Sequence, residues 1–149
     1  MRLDFSGAPE IAAPREVVWK HLMDPDFVAA SAPGVESVEA VDPTHFTVIS
    51  GVGVGALKFR FRLDVELSGI VELERLTMAA RGKAPGSTVD VVSNVRLEQV
   101  RNGHTRLAWA ATSTIDGAVA GIGARFLEAA ARRLTEEFWS DFARRINAG

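Results

Sequence analysis

The sequence contains no cysteine. That excludes disulfides, thiolate metal sites and cysteine nucleophiles, and it leaves the redox compartment undecided. No uninterrupted apolar run approaches the about 20 residues that a membrane-spanning helix requires. Met1 to Ala12 alternate polar and apolar side chains and lack the charged start and continuous apolar core of a signal peptide. A soluble, cytoplasmic protein is the expectation. Neither sign of charge dominates: 17 basic and 19 acidic side chains give a formal charge of -2, which lends no support to nucleic-acid binding. There is no internal repeat, low-complexity run or interdomain linker, so the 149 residues are expected to form one domain over 1–149. His21, His45 and His104 fall on different elements, and no spacing joins them into a metal site. Glu136 and Glu137 are helix neighbours pointing about 100° apart, which does not suit a shared acid–base task. No nucleophile has a base beside it. The expectation is a protein without a cofactor and without catalytic residues.

What the chain has instead is pattern. Leu57 to Leu67 read L-K-F-R-F-R-L-D-V-E-L, a strict alternation that marks a long strand with one dry and one wet face. Leu57, Phe59, Phe61, Leu63, Val65 and Leu67 form the dry face. A first strand is expected around Leu3 and Phe5. Pro14 suits a helix first turn, and Val18, Trp19, Leu22 and Met23 follow with helical spacing. Asp24-Pro25 ends that helix and caps a second short one through Ala30, which Ala32-Pro33-Gly34 breaks. From Val35 to Asp116 strand follows strand, with turn signals at Asp42-Pro43, Gly51 to Gly55, Ser68-Gly69, Ala84 to Gly86 and Asn102-Gly103. After Gly117 the period becomes helical to the end, with Val119, Ile122, Phe126, Ala130, Leu134, Phe138, Phe142 and Ile146 on one stripe. The fold class is α+β: an antiparallel sheet curled around one long C-terminal helix, with two short helices after the first strand.

The charges set the phase of each strand. Val89, Val91, Ser93, Val95 and Leu97 face in on one strand, Leu107, Trp109, Ala111, Ser113 and Ile115 on the next, and Met78, Ala80, Gly82 and Ala84 on a third. Several inward residues are small: Ala80, Gly82, Ala84, Ala111, and Ala130 on the helix. Ser93 and Ser113 are polar. A filled core prefers leucine, isoleucine and valine. Two readings follow. The small residues leave an apolar cavity with a few polar contacts, or Phe59, Phe61, Trp109 and Phe126 fill the space.

Three groups of residues, taken in order, carry a family resemblance. The first is Phe5-Ser6-Gly7, Ala13-Pro14, Val18-Trp19, Asp24-Pro25 and Pro33-Gly34-Val35. The second is Gly51-Val52-Gly53 with the Lys58-Phe59-Arg60-Phe61 strand. The third is Asp116 to Arg125, D-G-A-V-A-G-I-G-A-R, with Glu136-Glu137-Phe138-Trp139. Together they resemble the CoxG family of carbon monoxide dehydrogenase subunits, within the START-like (SRPBCC) superfamily of helix-grip folds, over nearly the whole chain. The resemblance implies a curved sheet gripping the long helix around a hydrophobic cavity. It implies association with a molybdenum-containing carbon monoxide dehydrogenase or related hydroxylase, peripheral contact with the inner face of the membrane, and handling of quinones or lipids. Longer members carry a C-terminal linker and membrane-binding tail. This sequence stops at Asn147-Ala148-Gly149, so no permanent anchor is expected from it.

On this reading Phe59, Phe61, Met78, Val91, Trp109, Phe126 and Leu134 form the apolar wall. Ala80, Ala111 and Ala130 leave room, and Ser93 and Ser113 orient carbonyl oxygens. The function expected is a non-catalytic carrier of a hydrophobic small molecule. The rivals are a polyketide cyclase or hydratase-like enzyme using the same cavity, and an assembly factor. The latter would dock through a basic outer face of Lys58, Arg60, Arg62, Arg81 and Lys83; the alternative for that face is simple solvation. Gly51 to Gly55 is not a dinucleotide loop, because a strand rather than a helix follows it. It is a mobile hairpin at the cavity mouth or an ordinary glycine-rich turn. Gly121 and Gly123 are expected in the first turns of the long helix, either loosening it or packing against a strand.

Overall fold

The computed structural model describes residues 1–32, 34–54, 56–117, 121 and 123–148. In chain order the elements are β1 (Arg2–Gly7), β2 (Glu10–Ile11), α1 (Arg15–Leu22), α2 (Pro25–Ala30), β3 (Val35–Asp42), β4 (His45–Val54), β5 (Leu57–Val71), β6 (Arg75–Ala84), β7 (Ser87–Arg101), β8 (His104–Gly117) and α3 (Ala124–Ala148). The strands form one antiparallel sheet in the order β1-β8-β7-β6-β5-β4-β3, with β2 also paired to β8. This is the expected α+β arrangement, with the two-residue β2 added to it. Its inner face and α3 share a main apolar core, in which Phe142, Ile11, Leu22, Leu107 and Val18 are fully buried.

Local chemistry explains most boundaries. The Asp24 carboxylate accepts from the backbone N–H groups of Asp26 and Phe27 at 3.1 and 3.4 Å, and Pro25 supplies the first turn of α2. Asn102-Gly103 closes β7 onto β8, with Gly103 at φ 75°. Gly117 holds φ 90°, and a Cβ there would lie 2.1 Å from the Gly86 carbonyl oxygen, so only glycine fits the end of β8 against the β6–β7 turn. The predicted turn at Ser68-Gly69 is a correction. β5 runs through it to Val71 with a register shift, and the chain reverses one step later, where Glu74 N–H bonds Val71 O at 2.9 Å and Leu73 takes φ 66°.

The long helix also differs from expectation. It begins at Ala124, so Gly121 and Gly123 precede it, and Gly123 has the non-helical φ of 121°. Among the described residues a Cβ at either would meet nothing within 4 Å, so neither glycine packs closely against a described strand. The expected stripe positions Val119 and Ile122 lie outside the described residues, as do Pro33, Gly55 and the direction of the Leu57 side chain. Among the described residues no helix is long and apolar enough to cross a membrane.

Candidate functional site

Between α3 and the inner face of β4 to β8 lies a cavity of about 260 Å³. The alternation along each strand delivers its wall. β4 contributes Phe46, Val48 and Ser50; β5 contributes Phe61, Leu63 and Val65; Met78, Ala80, Val89, Val91, Ser93, Ser113 and Ile115 come from β6, β7 and β8. α3 closes it with Leu127, Ala130, Ala131, Leu134, Thr135, Phe138 and Trp139, and α2 with Val28 and Ala29.

Phe61, Met78, Ala80, Val91, Ser93, Ser113, Ala130 and Leu134, all expected at a binding site, therefore stand on one wall. Phe59, Trp109, Ala111 and Phe126 do not, and each has a physical reason. Phe59 packs beside Phe61, ring centroids 6.0 Å apart, in a second apolar cluster with Ile115 and Leu127. Trp109 stacks on Trp139 at 6.2 Å and 21°. Its indole covers Gly7, where a Cβ would fall 2.8 Å from the ring, so that glycine makes room for the tryptophan. Ala111 is buried in the main core opposite Phe5 and Ser93. Phe126 points to solvent with 64% of its surface exposed. Each four-residue step on a helix overshoots a turn by about 40°. A stripe drawn through Phe126, Ala130, Leu134 and onward to Ile146 cannot keep one face, and Leu127 takes the inward place.

The wall is chemically plain. Among the described residues it carries no histidine, arginine, lysine or carboxylate. Ser93 and Ser113 are buried on adjacent strands, and neither hydroxyl has a hydrogen-bond partner among the described residues. Thr135 differs: its hydroxyl donates to Ala131 O at 2.7 Å. Among the described residues no group of three histidines or carboxylates is placed to hold a metal ion. Sequence reasoning missed α2 as part of the wall. Arg145 fixes it there, donating to Phe27 O at 2.7 Å and Ser31 Oγ at 2.8 Å with its guanidinium 4.0 Å above the Phe27 ring. The alternation of Phe46, Val48 and Ser50 was a signal that would have found β4.

The expected basic outer face is largely neutralised. Arg60 pairs with Glu36 at 3.1 Å, Arg62 with Asp64 at 3.7 Å, and Arg81 with Asp90 at 2.9 Å. Exposed pairs of this kind add little stability, but they remove the uniform positive field that acidic docking needs. Lys58 and Lys83 have no such partner among the described residues.

A curved antiparallel sheet gripping a C-terminal helix around an apolar cavity is a START-like, helix-grip fold. Solved structures agree on the fold. A conserved protein from Geobacillus kaustophilus is 23% identical with a TM-score of 0.87, covering 98% of this chain and 96% of that one. A START superfamily protein from Mycobacterium smegmatis is 10% identical with a TM-score of 0.73, covering 97% of each chain. The ZhuI aromatase/cyclase from Streptomyces sp. R1128 is 18% identical with a TM-score of 0.69, covering 98% and 94%. No curated protein matches the chain. The model of the CoxG family of carbon monoxide dehydrogenase subunits matches residues 7–147, and the chain belongs to that family.

Proposed function

We propose that this chain is a non-enzymatic carrier that takes a lipophilic molecule, a quinone or a lipid, into the cavity beneath α3. It does so in the service of a molybdenum-containing carbon monoxide dehydrogenase-type enzyme. The observation that carries the reading is the wall itself: mostly apolar, free of titratable side chains among the described residues, and marked by the hydroxyls of Ser93 and Ser113. Burying an apolar guest there is favourable by roughly 25 cal/mol per Å² before ordering costs. Each serine hydroxyl can donate to a carbonyl oxygen and so orient a quinone ring. The family's name supplies the partner class.

The volume limits what enters. An engineered cavity of roughly 150 Å³ takes one benzene ring. About 260 Å³ therefore suits a substituted ring with a short branch, and a longer tail must project outside. The rival reading, a polyketide cyclase or hydratase-like enzyme, needs a general acid or base beside its substrate, and this wall offers none.

The test is a titration with a short-chain benzoquinone, read by tryptophan fluorescence, since Trp139 lies on the wall. Saturable quenching is expected, weakened several-fold in Ser93→Ala and Ser113→Ala by loss of a net hydrogen bond of about 1 kcal/mol. Quenching that never saturates, or that ignores both substitutions, counts against the site.

A further inference from the structure

The elements that wall the cavity are not held with equal strength. The strands β4 to β8 are joined to their neighbours by continuous antiparallel ladders. The helix α3 packs Trp139, Phe142, Ala143 and Ile146 into the main core. α2 is only six residues long, yet it supplies Val28 and Ala29 to the wall, with Ala32 just beyond it. Its polar ties to α3 all pass through one side chain. Arg145 donates to Phe27 O at 2.7 Å and to Ser31 Oγ at 2.8 Å, and its guanidinium lies 4.0 Å from the centre of the Phe27 ring. Among the described residues no other hydrogen bond or ion pair joins α2 to α3. The Ser31 N–H bonds Val28 O at 3.1 Å, which leaves the Phe27 carbonyl to Arg145 and to the Ser31 hydroxyl at 3.3 Å. Phe27 also makes ring contacts, with Phe142 at 5.4 Å and with His21 of α1 at 4.2 Å. The chain is fixed on both sides of α2. Asp24 caps its start, and beyond its end Gly34 O accepts from the Gly51 N–H at 2.9 Å.

We infer that α2 is a lid on the cavity and that Arg145 is its latch. Withdrawal of the guanidinium frees the Phe27 carbonyl, the Ser31 hydroxyl and the Phe27 ring together. α2 then swings between Asp24 and Gly34 without breaking a ladder bond. Displacing a strand would break such bonds, and displacing α3 would open the main core, so α2 is the least costly panel to move. The inference rests on the carrier reading and deepens it, since it states where the guest enters and leaves. The same helix provides a matched control. The Arg132 guanidinium lies 5.0 Å from the ring of Phe5 on β1, and β1 is the sheet edge opposite β3.

Thiol labelling and guest kinetics on the full chain test this. The sequence has no cysteine, so one introduced thiol reports on one place. Ala29 and Ala111 are each 2% exposed, the first on α2 and the second in the main core on β8. Ala29→Cys should react with a maleimide at least about tenfold faster when Arg145→Ala is added, because hydrogen bonds to a charged group are lost. Ala111→Cys reads global unfolding and should accelerate far less. Ser31→Ala removes one contact of the latch and should act in the same direction at smaller size, which carries the test if Arg145→Ala does not fold. Arg132→Ala should leave labelling at residue 29 unchanged. Exchange of a short-chain benzoquinone is followed in parallel by stopped-flow tryptophan quenching on the cysteine-free variants. Association and dissociation should both accelerate in Arg145→Ala, with little change in half-saturation. Faster labelling at residue 29 together with faster quinone exchange supports lid and latch. Equal acceleration at both thiols, or after Arg132→Ala, is general loosening and overturns the lid. Faster labelling with unchanged quinone exchange overturns α2 as the route. Labelling indifferent to Arg145→Ala and Ser31→Ala overturns the latch. Faster labelling at residue 29 in a protein that takes up no quinone keeps the lid and counts against the carrier reading.

Discussion

At residue 80 a methyl group stands where a filled core would carry leucine. Ala80 lies on the cavity wall between Val65 and Val91 in register. Ala80→Leu should therefore reduce quinone uptake at least tenfold while changing stability by no more than about 2 kcal/mol, since it adds apolar volume to a space that can take it. A fall in stability with unchanged uptake would contradict the cavity. Asp42 makes a different prediction. The backbone N–H and then the hydroxyl of Thr44 donate to its carboxylate at 2.8 and 2.9 Å, and His45 lies 3.2 Å away. These contacts hold the Asp42 carboxyl below the ordinary aspartate range. A lowered folded-state value stabilises the fold above the unfolded-state value, and the gain disappears as pH falls through the folded-state value. The stability gap between wild type and Asp42→Ala, measured by urea denaturation, should narrow on acidification; a gap independent of pH would refute the assignment.

Among elements, the strands were legible and the helix was only half so. Alternating charges on β5, β7 and β8 mark the wet face, so the inward sets of those strands followed from the sequence. The same logic applied to β4 would have added Phe46, Val48 and Ser50 to the wall. On α3 the run of residues four apart suggested Phe126 as an inward side chain, but accumulated rotation turns it to solvent and gives Leu127 the buried place. Urea denaturation separates the two faces. Trp139→Ala removes a buried indole stacked on Trp109 and should cost roughly 3–5 kcal/mol. Phe126→Ala should stay within about 0.5 kcal/mol of wild type. Equal losses would put both on the core face. The turn at Val71 to Glu74 was hidden because Ser68-Gly69 carries the turn residues while the reversal falls on Leu73, a left-handed position that no composition rule assigns to leucine.

At the scale of the molecule, element order and hairpin-length connections implied the antiparallel sheet and its covering helix, and the ordered motifs pointed to the CoxG family. Whether the small residues leave a cavity was not readable, because it depends on how far α3 stands from Ala80, Ser93 and Ser113. That distance is set by long-range contacts: Trp109 against Trp139, Arg145 against Phe27 and Ser31, and Ala12 N–H on Asn147 Oδ1 at 2.8 Å. Most of these contacts join α3 to residues over a hundred positions earlier, and none has a periodic trace. The most direct measurement is mass spectrometry of an organic extract of the purified chain, alongside Ala80→Leu. The account predicts a quinone or lipid in near-stoichiometric amount from wild type, and its loss from the filled variant. An extract that is empty from wild type, with no binding on addition of quinone or lipid, would contradict it.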